Sequence, residues 1–186
     1  MSTAGLMKRI AETSPRFKAR TAGALYFFGL LMGVSEAVLR GAFSYAAGDI
    51  AVLGMVAATL LSYAIFKAVN QRLSLLAVFL AFVGLAFEVL RFQPYGVNIA
   101  IVFHGVYSTL IGYLIFRSTF LPRVLGALMM LAGLAWLTFL SNPLAHYVSP
   151  YNLAVGLLGD VSVFLWLLVM GVNVPRWNEQ ARGPRN

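Results

Sequence analysis

The sequence of 186 residues contains no cysteine, and only 6 of its residues are aspartate or glutamate. Without cysteine, the chain cannot form a disulfide, a thiolate metal site or a cysteine nucleophile. Charged residues make up 11% of the chain and hydrophobic residues 60%, whereas soluble domains contain about 25% charged and about 45–50% apolar residues. So much apolar surface cannot be buried inside a globule of this size, and we therefore expect a membrane protein.

Positive charge is more abundant, since lysine and arginine number 14 and the net charge is +8. Such a charge is typical of nucleic-acid-binding proteins, but here the basic residues flank apolar segments and form no separate basic domain. We predict no nucleic-acid partner. The basic residues instead indicate membrane topology and contacts with anionic lipids of the bilayer at its cytoplasmic face.

Six apolar segments follow one another, each near the length of about 20 residues that a helix needs to cross a bilayer. Short connections require neighbouring helices to pack antiparallel, as three hairpins. The predicted fold is an all-α bundle of six transmembrane helices in residues 21–171, between a basic arm (residues 1–20) and a polar tail (residues 172–186) whose end is expected to be loose. The predicted helices are Thr21–Phe43, Asp49–Lys67, Leu73–Phe92, Val97–Arg117, Pro122–Leu140 and Leu153–Gly171. The longest link, residues 141–152, is expected to be a constrained loop at the membrane surface.

Lysine and arginine fall mainly on one side of this arrangement. All but two of the 14 lie in the N-terminal arm, in the second and fourth links or in the tail. The exceptions, Arg40 and Arg91, lie near the far ends of the first and third helices. Because cytoplasmic segments carry the excess of basic residues, both termini are predicted to lie in the cytoplasm. The predicted location is the inner (cytoplasmic) membrane.

Three cytoplasmic connections have a similar sequence in which an apolar helix ends and a basic residue follows. These are KAVNQRLSLLA (67–77), GYLIFRSTFLPRVLGALMMLAGL (112–134) and WLLVMGVNVPRW (166–177). They either descend from one ancestral hairpin or show how any antiparallel bundle ends its cytoplasmic helices. The segments resemble a bacterial family of integral membrane proteins, the domain of unknown function four-three-eight-six. The resemblance extends from Arg20 to Trp177. It implies a multi-pass membrane protein and assigns no activity.

Ionisable side chains within the predicted helices are the main candidates for a functional site. A charge at the centre of a bilayer costs at least about 2.5–3.5 kcal/mol on insertion scales, so each needs a partner or a water-lined pocket. All lie in the outer half of their helices, and small residues at helical spacing share their faces, which favours an inward orientation. We therefore predict a buried ionic cluster, which also forms the candidate ligand-binding site: Glu36, Arg40, Glu88, Arg91, His104 and Asp160.

Two interpretations of the cluster remain open. Glu36–Arg40 and Glu88–Arg91 have the i,i+4 and i,i+3 spacing of ion pairs on one helix, which can fix helix packing. His104 and Asp160 have no partner within their own helices. These two favour a pocket that binds a polar or anionic ligand or relays protons. As an alternative to a metal ligand, His104 is expected to be an interhelical residue hydrogen-bonded to Asp160 or Glu88.

Metal and haem chemistry receives little support from the sequence. A haem held by two histidines within the membrane is not expected, because the second histidine, His146, lies in the outer loop. Glutamate, histidine and aspartate are suitable metal ligands, but they form no closely spaced motif here. No catalytic residue and no metal site is assigned, and the cofactor is unknown.

The predicted role is therefore a non-catalytic membrane component, either a ligand-binding protein or an accessory subunit of a larger assembly with membrane-protein partners. The alternatives are a small-molecule or proton-coupled transporter, for which the apolar inner half offers little, and an intramembrane enzyme using Glu, His and Asp. Aromatic residues near helix ends, Trp136 and Trp177 among them, are assigned to the interfacial belts.

Overall fold

The computed structural model describes residues 14–38 and 42–183, and this part of the chain contains helices and no strands. The all-α fold class is therefore confirmed for the described residues. The α-helices are α1 (Pro15–Val38), α2 (Ala42–Phe66), α3 (Gln71–Val89), α4 (Ile99–Arg117), α5 (Arg123–Leu137), α6 (Asn142–Val148), α7 (Tyr151–Val169) and α8 (Val174–Arg182).

Five of the described helices are long and apolar enough to cross a membrane. They are α2 from Tyr45, α3, α4, α5 extended by a 3₁₀ turn to Leu140, and α7. Each corresponds to a predicted span, which agrees with a membrane protein. The first predicted span, Thr21–Phe43, falls on α1 and is not among these five, so the number of spans and the orientation of the termini stay predictions.

The long helices form a closed ring. Each of α1 to α4 packs against the next helix along the chain, α5 packs against α7, and α7 packs against α1. The ring has two ends. We call the end formed by the starts of α1, α3 and α5 the basic end, because Lys67, Arg72, Arg117 and Arg123 lie there. We call the opposite end, where α1, α3 and α5 end, the cavity end, after the cavity described below.

Asparagine side chains define where three of the helices begin. The side-chain oxygens of Asn70, Asn98 and Asn173 each accept a hydrogen bond from the backbone N–H three residues later. Such a bond satisfies one of the N–H groups that a helix start leaves unpaired. Two of the three, Asn70 and Asn173, belong to the similar cytoplasmic sequences, which gives that motif a structural meaning.

The basic end is tightly packed and tied together by long-range hydrogen bonds. The side chains of Arg16 and Arg20 donate to the carbonyl oxygens of Met170 and Val169, at the C-terminus of α7. Such bonds satisfy carbonyl groups that a helix end leaves unpaired. The pKa of the Lys18 ammonium is lowered by burial and by the nearby charge of Lys67. The apolar core continues across this end with Ile65, Phe66, Leu114, Ile115, Phe120 and Leu121.

Two segments outside the six predicted spans contain helices. The link between the fifth and sixth predicted spans includes α6, and Pro143 lies in its first turn, where its missing N–H costs nothing. The tail includes α8, and only the end of the tail was expected to be loose. Trp177 donates its indole N–H to the carbonyl of Ile65 at 2.9 Å, and Gln180 accepts the backbone N–H of Thr119 at 2.9 Å. Residues beyond Gly183 lie outside the described part.

Glycines let α4 and α5 approach closely. A Cβ atom added to Gly112 would lie 2.6 Å from the backbone nitrogen of Met130, and one added to Gly133 would lie 2.6 Å from the carbonyl oxygen of Gly105. Such contacts are too short for carbon, so the two helices touch backbone to backbone. In lipid the hydrophobic effect does not drive helices together, so close backbone packing of this kind stabilises their association instead.

We expect Gly133→Ala to destabilise the protein by about 1–3 kcal/mol, because the added methyl group forces α4 and α5 apart. Thermal unfolding in mild detergent measures the change. Gly54→Ala is the matched control, since its Cβ would lie 3.5 Å from the nearest heavy atom, the carbonyl oxygen of Leu25. Equal stability of the two variants would contradict the close α4–α5 contact.

The absence of native cysteine allows a direct test of topology. We expect a cysteine at Tyr95, which is fully exposed near the cavity end, to react with a membrane-impermeant maleimide added outside intact cells. A cysteine at Gln71, exposed at the basic end, should react only after the membrane is opened. The reverse pattern would show that the basic end faces outward.

Candidate functional site

A cavity of about 410 Å³ lies inside the helix ring, towards the cavity end. All six ring helices contribute to its walls. Most of the lining side chains are apolar or small, among them Gly29, Gly33, Met55, Leu85, Ile101 and Phe164. The polar lining residues are few, so the position of each one matters for what the cavity can hold.

Asp160 of α7 is the most deeply buried carboxylate of the described residues, with 3% of its surface exposed. Its Oδ2 accepts the indole N–H of Trp136 at 2.9 Å and lies 3.0 Å from Nε2 of His104. The Ser108 hydroxyl donates to Oδ1 at 3.5 Å. The carboxylate is thus held by groups from α4 and α5, and the three helices meet at this one side chain.

The chemistry of these partners explains why a carboxylate is tolerated here. An unpaired buried charge costs several kcal/mol, which hydrogen-bond donors must offset. Indole N–H is a donor only, so Trp136 requires an acceptor and Asp160 supplies it. Between His104 and Asp160 one proton is shared, and it lies on either the imidazole nitrogen or the carboxyl oxygen. His104 retains 32% side-chain exposure against 5% for Asp160, so the imidazole is the more accessible of the two and lines the cavity.

Glycine makes room for this network. A Cβ atom at Gly156, one turn before Asp160, would lie 2.6 Å from Cζ2 of Trp136. Only a residue without a side chain allows the indole to reach past α7 and donate to the carboxylate. The sequence spacing of Gly156 and Asp160 therefore positions the donor as well as the acceptor.

A second polar group, which we call the hydroxyl cluster, consists of Tyr26, Thr59, Ser62 and Tyr107. Tyr26 is hydrogen-bonded to each of the other three. All four side chains are buried, and the Tyr26 ring stacks on Phe164 with 4.8 Å between ring centroids. Tyr26, Thr59 and Tyr107 line the cavity. The cavity therefore has two polar patches, one around Asp160 and one at the hydroxyl cluster.

Glu88 lines the same cavity as His104 and Asp160, whereas Arg91 does not. Glu88 and Arg91 together line a smaller neighbouring pocket of about 120 Å³. Helix α3 ends at Val89, and Arg91 follows it with φ of 49°. The expectation that Glu88 and Arg91 form an i,i+3 pair stays a prediction. The Arg91 guanidinium lies over the ring of Tyr45, 4.3 Å from its centroid.

The predicted cluster of six is therefore assembled only in part by the described residues. The structure joins His104 to Asp160 and places Glu88 on the same cavity. Glu36 belongs to α1, but its side chain lies outside the described part of the structure, and Arg40 lies outside the described residues altogether. The cluster as a whole stays a prediction.

Sequence reasoning missed several residues of the site. Trp136 was assigned to an interfacial belt, and this is wrong, since it is 8% exposed and bonded to Asp160. The sequence did contain a signal. Trp136 shares one face of α5 with Gly126 and Gly133 at helical spacing, and small residues of this kind mark a face that contacts another helix. The hydroxyl cluster had no such signal, because its members come from three distant segments.

The described residues contain no group of three or more histidine, aspartate or glutamate side chains that could hold a metal ion. The cavity can instead offer a ligand an apolar volume, hydrogen-bond donors and the proton that lies between His104 and Asp160. These features define a class: a helical membrane protein whose ring of helices surrounds a mainly apolar cavity.

Comparison with known proteins finds a family match over part of the chain. Residues 85–171 match the family described as Domain of unknown function (DUF4386), and the resemblance is confirmed over this range. The matched segment includes α4, α5 and α7, and with them His104, Trp136 and Asp160. The similarity expected for residues 67–77 lies outside the matched range.

Other proteins add little about function. An uncharacterized protein of Archaeoglobus fulgidus is 29% identical to this chain over 77 residues, which cover 40% of the chain and 45% of that protein. The chain therefore spans less than half the length of this relative. No solved structure matches the chain.

We expect Asp160→Leu to lower the free energy of unfolding by about 1–3 kcal/mol for each donor it leaves unpaired, Trp136 foremost. Adding Trp136→Phe should then cost little more, because the indole N–H that lacked an acceptor is removed as well. Thermal unfolding of the two single variants and the double variant measures the coupling. Ser162→Ala is the control on the same helix and should stay within about 0.5 kcal/mol of the parent, because this half-buried hydroxyl donates only within its own helix, to the carbonyl of Leu158. Strict additivity would contradict the hydrogen bond.

Proposed function

We propose that this membrane protein binds a small, mainly apolar molecule within its ring of helices and acts as a non-catalytic ligand-binding protein or an accessory subunit of a larger membrane assembly. The observation that carries the proposal is the cavity with its polar wall at His104, Trp136 and Asp160. Small-molecule sites are concave, mainly apolar and about 300–1,000 Å³ in volume, with a few polar groups that orient the ligand. The cavity has each of these properties.

The packing at the basic end supports binding over passage through the bundle. Below the hydroxyl cluster, the axis of the ring is filled by buried side chains such as Ile65, Ile111 and Leu114. A transported molecule would have to separate these residues and the backbone contacts of α4 with α5. Conduction would therefore require a large rearrangement, whereas binding uses the cavity as it is.

The membrane location and orientation of the protein are inferred from its basic residues and its apolar outer surface. We infer that it lies in the inner membrane, with both termini in the cytoplasm and the basic end against anionic lipid headgroups. Large apolar side chains on the outside of the ring, such as Leu53, Phe79 and Leu158, are suited to lipid or to membrane-protein partners.

Filling the cavity tests the proposal. Gly33 lines the cavity, and a Cβ atom added there would meet no heavy atom within 4 Å. We expect Gly33→Leu to fold normally and to lose at least about tenfold in affinity for an apolar probe such as cyclododecane, because the side chain takes the ligand's space. Equilibrium dialysis of the purified protein in lipid nanodiscs, against empty nanodiscs, measures binding.

The matched control is Ala24→Leu, which adds similar bulk to the exposed face of the same helix. This variant should bind the probe as the parent does. Equal binding by Gly33→Leu and the parent, or no binding above empty nanodiscs by the parent, would refute the proposed function.

A further inference from the structure

The smaller pocket of about 120 Å³, which we call the polar pocket, differs in character from the cavity beside it. Its lining consists of two phenylalanine rings and four polar side chains: Phe87, Phe92, Glu88, Arg91, Gln93 and Asn98. Glu88 also lines the cavity. One side chain therefore borders both spaces, and a mainly apolar space and a mainly polar one lie next to each other at the cavity end.

The cavity is elongated along the helix axes. On α2 its lining runs from Gly48 to Thr59, which is about 16 Å at the helical rise of about 1.5 Å per residue. On α3 its lining runs from Ala81 to Glu88, which is about 10 Å of that helix. Gly48 and Glu88 lie towards the cavity end. The long direction of the cavity therefore runs from the polar pocket towards the hydroxyl cluster.

The polar groups deeper in the cavity are bonded to one another. Trp136 and His104 share Asp160 as their partner, and the hydroxyl cluster is held by its own hydrogen bonds. An alkyl chain can cover these groups at little cost, because their main hydrogen bonds are already made. The deep part of the cavity is thus suited to the apolar part of a ligand.

The polar pocket offers hydrogen bonds of both kinds. Asn98 uses its Oδ1 to accept the backbone N–H of Ile101 at 3.2 Å, so its NH₂ group is what it can offer a ligand. Gln93 carries a complete amide, with an acceptor oxygen and an NH₂ donor. Glu88 and Arg91 have opposite charges and both already take part in other interactions. A charged group in this pocket would meet one like charge, whereas a hydroxyl both donates and accepts and matches the amides.

The polar pocket also lies at the level where a membrane becomes polar. It is formed by the last turn of α3 and by the connection to α4, which includes the 3₁₀ turn Pro94–Gly96 and the fully exposed Tyr95. Tyrosine is typical of the membrane–water interface. An amphiphile in a bilayer has its polar head at this level and its chain in the hydrocarbon core. The two spaces have the same order along the bundle.

We propose that the cavity and the polar pocket together bind one single-chain amphiphile with a neutral, hydroxyl-bearing head, its chain in the cavity and its head against Gln93 and Asn98. This inference rests on the proposed binding function and specifies its ligand. The apolar chain accounts for the length and lining of the cavity. The neutral head accounts for the amides and the opposite charges at its outer end.

Two probes with the same alkyl chain separate this inference from the general function. Decane has no head, whereas 1-O-decylglycerol carries a neutral head with two hydroxyl groups. We expect the parent protein in nanodiscs to bind both, and to bind 1-O-decylglycerol about tenfold more tightly after correction for partitioning into empty nanodiscs. The charged analogues decanoate and decylammonium should not show this preference. Binding of decane tests the cavity, and the preference for the glycerol head tests the polar pocket.

Variants of the two amides test where the head lies. The double variant Gln93→Met, Asn98→Ser removes both NH₂ groups, and serine is still able to cap α4. It should bind 1-O-decylglycerol no more tightly than decane, with decane binding unchanged as evidence of folding. Gln93→Met alone, at an exposed position that leaves the cap intact, should weaken 1-O-decylglycerol binding about threefold. The matched control is Gln71→Met, the same change at an exposed position of the basic end, which should bind both probes as the parent does.

The outcomes are distinct. Decane binding without a preference for the glycerol head keeps the proposed function and overturns the inference, with the polar pocket then holding water only. A preference that survives in the double variant and in Gln93→Met, or a charged analogue that binds more tightly than 1-O-decylglycerol, also overturns it. So does binding of 1-O-decylglycerol that Gly33→Leu leaves unchanged, because the chain would then lie outside the cavity. Binding of neither probe refutes both the inference and the proposed function.

Discussion

A carboxylate buried among apolar helices is the constraint on which this structure depends. Asp160 needs donors that lipid cannot supply, and it finds them on α4 and α5. This requirement fixes how α4 and α5 pack against α7. Position 156 must be glycine so that the Trp136 indole can point inward, and His104 must lie beside Asp160. The ring closes around this point, and the cavity lies next to it.

Small residues serve two opposite purposes around the ring. Between α4 and α5, the glycines remove side chains so that the backbones touch, which strengthens that hairpin. On α1, Gly33 faces open space, and its missing side chain contributes volume to the cavity. The same residue type therefore builds a rigid wall on one side and an empty interior on the other. The basic end, filled by Phe66, Ile115 and Phe120, closes the cavity from below.

The sequence predicted the features that depend on local composition. Apolar length located five membrane-length helices, and helical spacing with charge placed His104 and Asp160 at one depth. It failed where contacts join distant segments. The indole of Trp136 suits a membrane interface as well as an interior, and only the space beside Gly156 decides between them. The hydroxyl cluster joins residues 26, 59 and 107, whose proximity no single segment encodes. The third predicted span ran to Phe92, whereas α3 ends at Val89, because the last turn of a helix is weakly specified.

The most direct measurement of the central claim uses Trp136 as a reporter, since it both lines the cavity and donates to Asp160. Of the 3 tryptophans, Trp166 and Trp177 would be replaced by phenylalanine, and bromocyclododecane would be titrated against the protein in nanodiscs. An apolar cavity beside Asp160 predicts saturable quenching of Trp136 emission that Gly33→Leu weakens. Quenching that rises linearly with the quencher dissolved in lipid, and is the same in that variant, would contradict the cavity.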